Sequence, residues 1–234
     1  MTNRVWRVDS AHGPLALRQG RPHAPLLGID RCREWHVLQR LRGHHIGPEV
    51  QRFDARQDRA AFTWIPGTPG APEPGAAQAL LHRLHALPLC GYRFSPAELI
   101  ERYRDLLGAS LPPGIAHLSQ ACQQISLALE TDAPLRLCHN DCVAKNWIRT
   151  GSGALRLIDF EFAGDNDPAF DLATLSLDVD LGPLPPRVAA YRPIVDCLWL
   201  LYCLVLAAVD PEQQEAARRQ AAGRLQRLRQ EAAP

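Results

Sequence analysis

The order of apolar and polar positions predicts strands first and helices afterwards. Residues 5–8 and 15–18 are short β-rich runs separated by a Gly-Pro turn signal. From 29 to 41 an apolar side chain recurs about every third position, which predicts a helix with Asp30 as its N-cap. A third strand is expected at 60–65, so the first part of the chain is predicted to be a small sheet with one helix.

The rest of the chain is predicted to be mainly helical. Residues 66–75 are rich in proline and glycine and form the clearest boundary in the sequence. Helical patterns follow it, and they cover 76–87, 96–107, 115–130, 168–179, one or two helices within 185–209, and an amphipathic tail at 211–232.

Composition narrows the class of protein. A chain of 234 residues with 46% hydrophobic content can hold one large domain or two small lobes. A net charge of +1 gives no general attraction to nucleic acid or membranes. The longest apolar run, 197–209, suits a buried helix better than a membrane span. Seven cysteines cannot form a complete internal set of disulfides, and no two of them form a CxxC pair, so we expect reduced thiols. The N-terminus has no signal region, and we therefore expect a cytoplasmic protein.

The stretch 135–173 concentrates the candidate chemistry. A short apolar run at 135–138 is followed by polar residues at 139–141 and by a second apolar piece at 147–148. A turn signal at 151–153 then leads into a run at 155–158 that alternates as a strand does. We therefore expect a loop followed by a β-hairpin, with Asp141, Asn146, Asp159 and Glu161 converging at the open end. Carboxylate and amide oxygens are hard ligands that suit Mg²⁺.

This stretch resembles the catalytic core of kinases. Residues 139–141 read His-Asn-Asp and Asn146 follows, which keeps the D-x-x-x-x-N spacing of the protein-kinase motif H-R-D-x-x-x-x-N. Residues 159–161 read Asp-Phe-Glu where protein kinases carry D-F-G. Asn140 stands where the first motif has arginine, and Glu161 stands where D-F-G has glycine. Neither residue suits a protein kinase. The run 157–173 is especially similar to the choline/ethanolamine kinase and thiamine kinase branch of the aminoglycoside phosphotransferase and choline kinase group.

The resemblance implies roles for the four converging residues. Asp141 would be the catalytic base that accepts the proton of the attacking hydroxyl. Asn146 and Asp159 would hold Mg²⁺ against the nucleotide phosphates. Glu161 would contact a second metal ion or the substrate.

The resemblance also implies supporting and phosphate-binding residues. His139 would brace the catalytic loop, and Asp171 would anchor it from the following helix. Arg18 takes the place of the strand-three lysine of kinases, and a guanidinium can bind phosphate oxygens bidentately. Glu34 is then its candidate partner.

The nucleotide site is expected to include residues near both ends of the first lobe. In the resembling families a glycine-bearing loop covers the phosphates and often ends in Thr-Asn, and here Asn3 is preceded by Thr2. The chain is therefore expected to begin inside that loop, with its small lobe truncated at the start. Trp64 and Ile65 resemble the kinase hinge and would meet adenine, with Ile158 packing from the other side.

Aromatic residues near the C-terminus are candidates for the acceptor site. Trp199 and Tyr202 lie at i, i+3 on one helical face, and Tyr191 is a third candidate. Choline-kinase-like proteins place a quaternary cation against such rings. The alternative interpretation is an ordinary apolar core helix.

We therefore predict an α+β, bilobal, protein-kinase-like fold with an N-lobe at 1–66, a hinge at 67–75 and a C-lobe at 76–234. The implied activity is ATP- and Mg²⁺-dependent phosphoryl transfer to a hydroxyl of choline, ethanolamine or thiamine, with no nucleic-acid or membrane partner. An aminoglycoside or amino-sugar phosphotransferase and an inactive nucleotide-binding protein are the alternatives. The acceptor, the choice between ATP and GTP, and the oligomeric state stay open.

Overall fold

A four-stranded antiparallel sheet opens the computed structural model, which describes residues 2–11 and 13–231. Its strands stand in the order β1-β2-β4-β3. They are β1 (Asn3–Ser10), β2 (Gly13–Gly20), β3 (Val50–Asp54) and β4 (Arg59–Thr63). The two strands predicted at 5–8 and 15–18 are confirmed and pair with each other in register.

Helix α1 (Arg31–Leu41) lies between β2 and β3 in the chain, as predicted. The carboxylate of Asp30 accepts hydrogen bonds from the backbone N–H groups of Cys32 and Arg33, at 2.8 and 3.2 Å. This cap supplies acceptors for donors that have no partner within the helix. The apolar face of α1 joins the hydrophobic core, and Val37 on this face is fully buried.

The proline- and glycine-rich segment is more structured than a plain linker. Within it, β5 (Gly67–Pro69) pairs antiparallel with β7 (Trp147–Thr150). Helix α2 (Pro74–His85) begins inside the segment, with Glu73 as its N-cap. A Cβ atom at Gly67 would lie 2.4 Å from the carbonyl oxygen of Arg149, so the pairing depends on glycine there.

The predicted hairpin is confirmed as β7 and β8 (Leu155–Leu157). Gly153 takes a positive φ of 83° in the turn between them, a conformation that favours glycine. Trp147 is fully buried, and its indole N–H donates to the carbonyl of Cys142 at 3.1 Å. A second pair, β6 (Arg136–Cys138) and β9 (Gly164–Asn166), flanks the loop that precedes the hairpin.

Five further helices complete the described chain. They are α3 (Pro96–Leu107), α4 (Pro113–Thr131), α5 (Pro168–Leu175), α6 (Pro186–Val209) and α7 (Gln214–Glu231). The region predicted to hold one or two helices is the single helix α6.

The chain packs into two compact units. The first contains 1–25, 29–94 and 134–183, and it holds all nine strands described above with α1, α2 and α5. The second contains 26–28, 95–133 and 184–234, with α3, α4, α6 and α7.

Buried ion pairs join two helices of the second unit. The fully buried carboxylate of Asp196 on α6 accepts from Arg224 and Arg227 on α7, at 2.7–3.0 Å. The division into an N-lobe at 1–66, a hinge at 67–75 and a C-lobe at 76–234 stays a prediction.

Among the residues that the structure describes, α6 alone is long and apolar enough to cross a membrane by length and composition. In its most apolar 18-residue window, 67% is buried within the protein. A core helix satisfies the same criteria, so this feature by itself is weak evidence for a membrane span.

Gly67→Ala should destabilise the protein, because the added methyl group meets the β7 backbone. We expect the free energy of unfolding to fall by about 1–3 kcal/mol, measured by urea denaturation. Gly151→Ala is the matched control, since a Cβ there meets nothing within 4 Å. Equal stability of the two variants would contradict the placement of β5.

Candidate active site

The catalytic-loop motif brings Asp141 and Asn146 into direct contact. The side-chain amide of Asn146 donates to the carboxylate of Asp141 at 2.7 Å and to its backbone carbonyl at 2.8 Å. Both side chains are buried. Because these bonds use both amide hydrogens of Asn146, its Oδ1 atom is the remaining side-chain atom that could bind a metal ion.

Asp159 joins this pair at the end of β8. The backbone N–H of Ile158 donates to the Asn146 carbonyl at 2.9 Å, which places Asp159 beside the loop. Its φ of +67° is uncommon for a residue with a side chain and has a cost of about 1–3 kcal/mol. Burial, followed by the charge of Asp141, raises the pKa of Asp159, while Lys145 opposes this shift. A hard divalent cation would relieve this accumulation of negative charge, so the donor set fits Mg²⁺.

His139 holds the loop rather than facing outward. Its ring nitrogen Nε2 lies 2.9 Å from the carbonyl of Ile158, and its Nδ1 accepts from the backbone N–H of Asp141 at 3.2 Å. These partners require the neutral tautomer with hydrogen on Nε2. Burial lowers the pKa of His139, which agrees with a neutral ring. The contacts support the bracing role predicted for it.

Asp171 on α5 binds the loop backbone from the other side. Its carboxylate accepts from the N–H groups of His139 and Asn140 at 2.9 and 2.7 Å, and it lies 2.9 Å from Nε2 of His85. Burial acts to raise the pKa of Asp171, but the hydrogen bond and charge of His85, with those of His139, outweigh it and lower the pKa. This geometry supports the predicted anchoring role.

One group of three potential metal ligands occurs in the described part of the chain. It comprises His85, Cys138 and Asp171, whose ligand atoms lie within 4.8 Å of one another. Both oxygens of Asp171 already accept hydrogen bonds, and burial raises the pKa of the Cys138 thiol well above its usual value. We therefore assign the group to support of the loop.

Two connections in this region were missed from the sequence. Asn140 has a positive φ of 64°, and its amide donates to the carbonyls of Phe162 and Gly164 at 3.0 and 3.4 Å. The carboxylate of Asp165 accepts from the backbone N–H groups of Cys90 and Gly91 at 2.8 and 2.7 Å. No periodic pattern could have indicated either connection, because each joins distant segments.

The predicted ion pair between Arg18 and Glu34 is present. The guanidinium of Arg18 makes two parallel hydrogen bonds to the Glu34 carboxylate, one of them at 2.9 Å, and both side chains are buried. The rings of Phe53 and Phe62 lie 5.8 and 5.3 Å from the Arg18 guanidinium. A bidentate pair of this kind holds the arginine in one orientation.

Arg31, at the start of α1, is the largest omission of the sequence prediction. Its guanidinium contacts Glu34 at 2.9 Å, Asp58 at 2.6 Å, Glu161 at 3.2 Å and the amide oxygen of Asn3 at 2.7 Å. The i, i+3 spacing to Glu34 was a visible signal for one of these four contacts.

Residues at the beginning of the chain donate hydrogen bonds to the carboxylate of Glu161. Its Oε1 accepts from the hydroxyl of Thr2 at 2.5 Å, and its Oε2 accepts from Asn3 at 2.9 Å and from Arg31. Burial, followed by the charge of Asp159, raises the pKa of Glu161 to about 7. Asn3 therefore contacts Glu161 and Arg31, and the metal or substrate role of Glu161 and the nucleotide role of Asn3 stay predictions.

Part of the backbone of the predicted hinge residues already forms hydrogen bonds within the protein. The N–H of Trp64 donates to the Pro14 carbonyl at 3.0 Å, and the guanidinium of Arg7 lies 5.6 Å from the Trp64 ring. The backbone of Ile158 bonds within the catalytic loop. The side chains of Trp64, Ile65 and Ile158 are partly exposed, so adenine contact by these residues stays a prediction.

The predicted acceptor aromatics lie on α6, in the second unit. Tyr191 is fully buried, and the rings of Trp199 and Tyr202 meet edge to face with centroids 5.2 Å apart. Packing of this kind is typical of a core. Asp141 lies in the first unit, so a shared acceptor site stays a prediction.

Comparison with known proteins identifies the family and the fold. The profile of a family described as "Phosphotransferase enzyme family" matches residues 1–198. Choline kinase LicA from Streptococcus pneumoniae is structurally similar, with a TM-score of 0.82 and 22% identity over 99% of this chain and 90% of that chain. The α+β, protein-kinase-like fold predicted from the sequence is therefore confirmed.

Two curated relatives match part of the chain. Ethanolamine kinase 2 of Rattus norvegicus is 26% identical over 162 residues, which are 62% of this chain and 42% of that protein. A thiamine kinase of Salmonella paratyphi B is 33% identical over 108 residues, which are 44% of this chain and 37% of that protein. The chain thus spans less than half the length of each of these two relatives.

Glu161→Gln should flatten the pH dependence of stability. With a folded-state pKa of about 7 against an ordinary value of 4.5, the folded protein binds a proton between these values that the unfolded chain lacks. The free energy of unfolding should therefore fall as pH rises through this window, by up to roughly 3 kcal/mol from this group.

The measurement is urea denaturation at pH 5 and pH 8 with EDTA present. The exposed Glu101→Gln variant serves as the matched control and should keep the wild-type pH dependence. An equal loss of stability in all three proteins would refute the assignment to Glu161.

Proposed function

Because this chain belongs to the phosphotransferase enzyme family, we propose that it is an ATP- and Mg²⁺-dependent small-molecule kinase. The observation that carries the proposal is the contact of Asp141 with Asn146, with Asp159 placed beside them by the backbone. These residues are the carboxylate and amide set that phosphoryl transfer requires, in the order and spacing of a kinase.

The reaction that these residues support is a direct displacement. The oxygen of the acceptor hydroxyl bonds to the γ-phosphorus, the bond to the β–γ bridging oxygen breaks, and ADP leaves with that electron pair. Asp141 orients the hydroxyl and receives its proton. Asn146 and Asp159 would hold Mg²⁺, which neutralises phosphate charge when bound.

Nucleotide phosphates would bind on the side of the site that contains Arg18. Its two hydrogen bonds to Glu34 leave the guanidinium in a fixed orientation at the small sheet. The choline kinase LicA is also known in complex with AMP, which supports nucleotide binding by this fold.

For the acceptor we propose choline, ethanolamine or thiamine. The names of the similar proteins support this class, since they are choline, ethanolamine and thiamine kinases. We also propose a cytoplasmic location, which agrees with a reaction on a free metabolite. The seven cysteines agree with this location, since all of them are free thiols in the structure.

The decisive assay measures Mg²⁺-dependent ADP release from ATP against choline, ethanolamine, thiamine, aminoglycosides and amino sugars. Asp141→Asn should lower kcat at least about 100-fold without loss of Mg·ATP binding, because it removes the proton acceptor and keeps the shape. Asp180→Asn, an exposed carboxylate in the same unit, should behave as wild type.

Each outcome of this panel decides between the candidates. Turnover with an aminoglycoside or amino sugar alone would replace the proposed acceptor class. Mg·ATP binding without turnover on any acceptor would favour the inactive nucleotide-binding alternative. Turnover that survives Asp141→Asn would refute the role of Asp141.

Arg18 should be required for nucleotide affinity. Arg18→Met should weaken Mg·ATP binding about 10- to 100-fold, the range expected for lost charge-assisted hydrogen bonds, as measured by titration calorimetry. Arg18→Lys keeps the charge without the bidentate geometry, so its affinity should be intermediate. A thermal unfolding scan of each variant checks that the sheet stays folded when Glu34 loses one of its two arginine partners and keeps Arg31. Unchanged affinity in a folded Arg18→Met protein would exclude a phosphate contact.

A further inference from the structure

The catalytic loop contacts a second carboxylate besides that of Asp171. The backbone N–H of Ala144 donates to Oδ2 of Asp178 at 2.7 Å. Ala144 begins the short helical turn Ala144–Asn146, and the first N–H groups of such a turn have no partner within it. Val143, which precedes the turn, has no side-chain atom that could accept a hydrogen bond. Asp178 therefore supplies, from a distant part of the chain, the cap that the local sequence lacks.

The backbone of Asp178 is fixed by the end of α5. The N–H groups of Asp178 and Val179 both donate to the carbonyl of Leu175, the last residue of α5, at 3.1 Å. The side chains of Leu175 and Val179 are buried in the same hydrophobic core. Asp178 is itself exposed, but its carboxylate projects from a backbone that this core holds in place.

The catalytic loop is thus held on both sides of Asp141 by one segment of the chain. Asp171 accepts from the N–H groups of the two residues before Asp141, at 2.9 and 2.7 Å. Asp178 accepts from Ala144, which lies three residues after Asp141. Because α5 and the turn after it carry both carboxylates, this segment sets the conformation of the loop at two points.

The turn that Asp178 caps contains Asn146, the proposed metal ligand. The N–H of Asn146 donates to the carbonyl of Val143 at 2.9 Å, and its carbonyl accepts from Ile158 at 2.9 Å. Its side-chain amide donates twice to Asp141, at 2.7 and 2.8 Å. The direction of its remaining side-chain atom, Oδ1, therefore depends on the conformation of this turn.

We propose that Asp178 is a positioning residue for the kinase reaction, which holds the N–H of Ala144 and thereby fixes the turn in which Asn146 presents Oδ1 to the metal ion. This inference rests on the proposed kinase function. In this role Asp178 acts through the backbone and not through its charge. Asp178→Asn keeps an oxygen that can accept from Ala144, whereas Asp178→Ala removes it, so the two variants separate the hydrogen bond from the charge.

Metal affinity provides the first test. Mn²⁺ replaces Mg²⁺ as a probe and is titrated into the protein with a non-hydrolysable ATP analogue, while free Mn²⁺ is followed by electron paramagnetic resonance. Asp178→Ala should weaken Mn²⁺ binding about 10-fold, the low end of the range for groups that orient metal ligands. Asp178→Asn should recover most of the affinity. Asp180→Ala is the matched control, because the exposed carboxylate of Asp180 accepts from Gly182, outside the loop.

Steady-state kinetics test the same role during turnover. Asp178→Ala should raise the Mg²⁺ concentration needed for half-maximal rate about 10-fold and leave the KM of the acceptor nearly unchanged. Asp178→Asn should again be close to wild type. A residue that attracts a cationic acceptor by its charge would give the opposite pattern, with a raised acceptor KM in both variants and unchanged Mn²⁺ affinity. That pattern would overturn the positioning role.

These measurements separate failure of this inference from failure of the proposed function. Weaker Mn²⁺ binding in Asp178→Ala, recovered in Asp178→Asn, would support positioning even in a protein that turns over no acceptor, and the missing turnover would refute the kinase activity alone. Wild-type Mn²⁺ affinity in a folded Asp178→Ala protein would overturn the positioning role, and equal losses in the two variants would do the same. In both cases turnover by the wild-type protein would leave the kinase function standing.

Discussion

Buried charge that has to be neutralised within the chain is the constraint on which the candidate site depends. Arg18, Arg31, Glu34 and Glu161 are all nearly inaccessible to water. Removal of one partner from such a set leaves an uncompensated charge, at a cost of about 3–5 kcal/mol. The set therefore links β2, α1 and the segment after β8, at the place where the nucleotide phosphates are proposed to bind.

A second set of contacts holds the catalytic loop in a conformation that its own residues disfavour. Asn140 and Asp159 both have positive φ angles, and such conformations persist only where the surroundings enforce them. Here the carboxylate of Asp171 accepts hydrogen bonds from two backbone N–H groups of the loop. Both ring nitrogens of His139 also take part in hydrogen bonds. Strained residues and desolvated carboxylates cluster at functional sites, so both features support the proposed active site.

The site and the comparisons support the type of reaction more strongly than the acceptor. The roles proposed for Asp141, Asn146 and Asp159 concern the phosphoryl group, which every acceptor of a kinase receives. The similar proteins differ in acceptor, since one is named an ethanolamine kinase and another a thiamine kinase. Because function resides in specific sites on a shared fold, the acceptor must be determined by experiment.

Local sequence determined the features that depend on residues close together in the chain. The D-x-x-x-x-N spacing, the hairpin after it and helix α1 with its Asp30 cap were all visible in this way. The resemblance to kinases also implied the pairing of Arg18 with Glu34.

Only the tertiary structure decided which distant groups neutralise one another. Arg31 reaches Asp58 and Glu161, and Thr2 bonds to Glu161, although nothing near these residues in the sequence marks them as partners. The segment at 67–69 likewise became a strand because β7 offered it backbone partners. Periodicity and capping are set within a few residues, whereas a buried carboxylate or an unpaired strand edge can be satisfied by any segment that the fold brings to it.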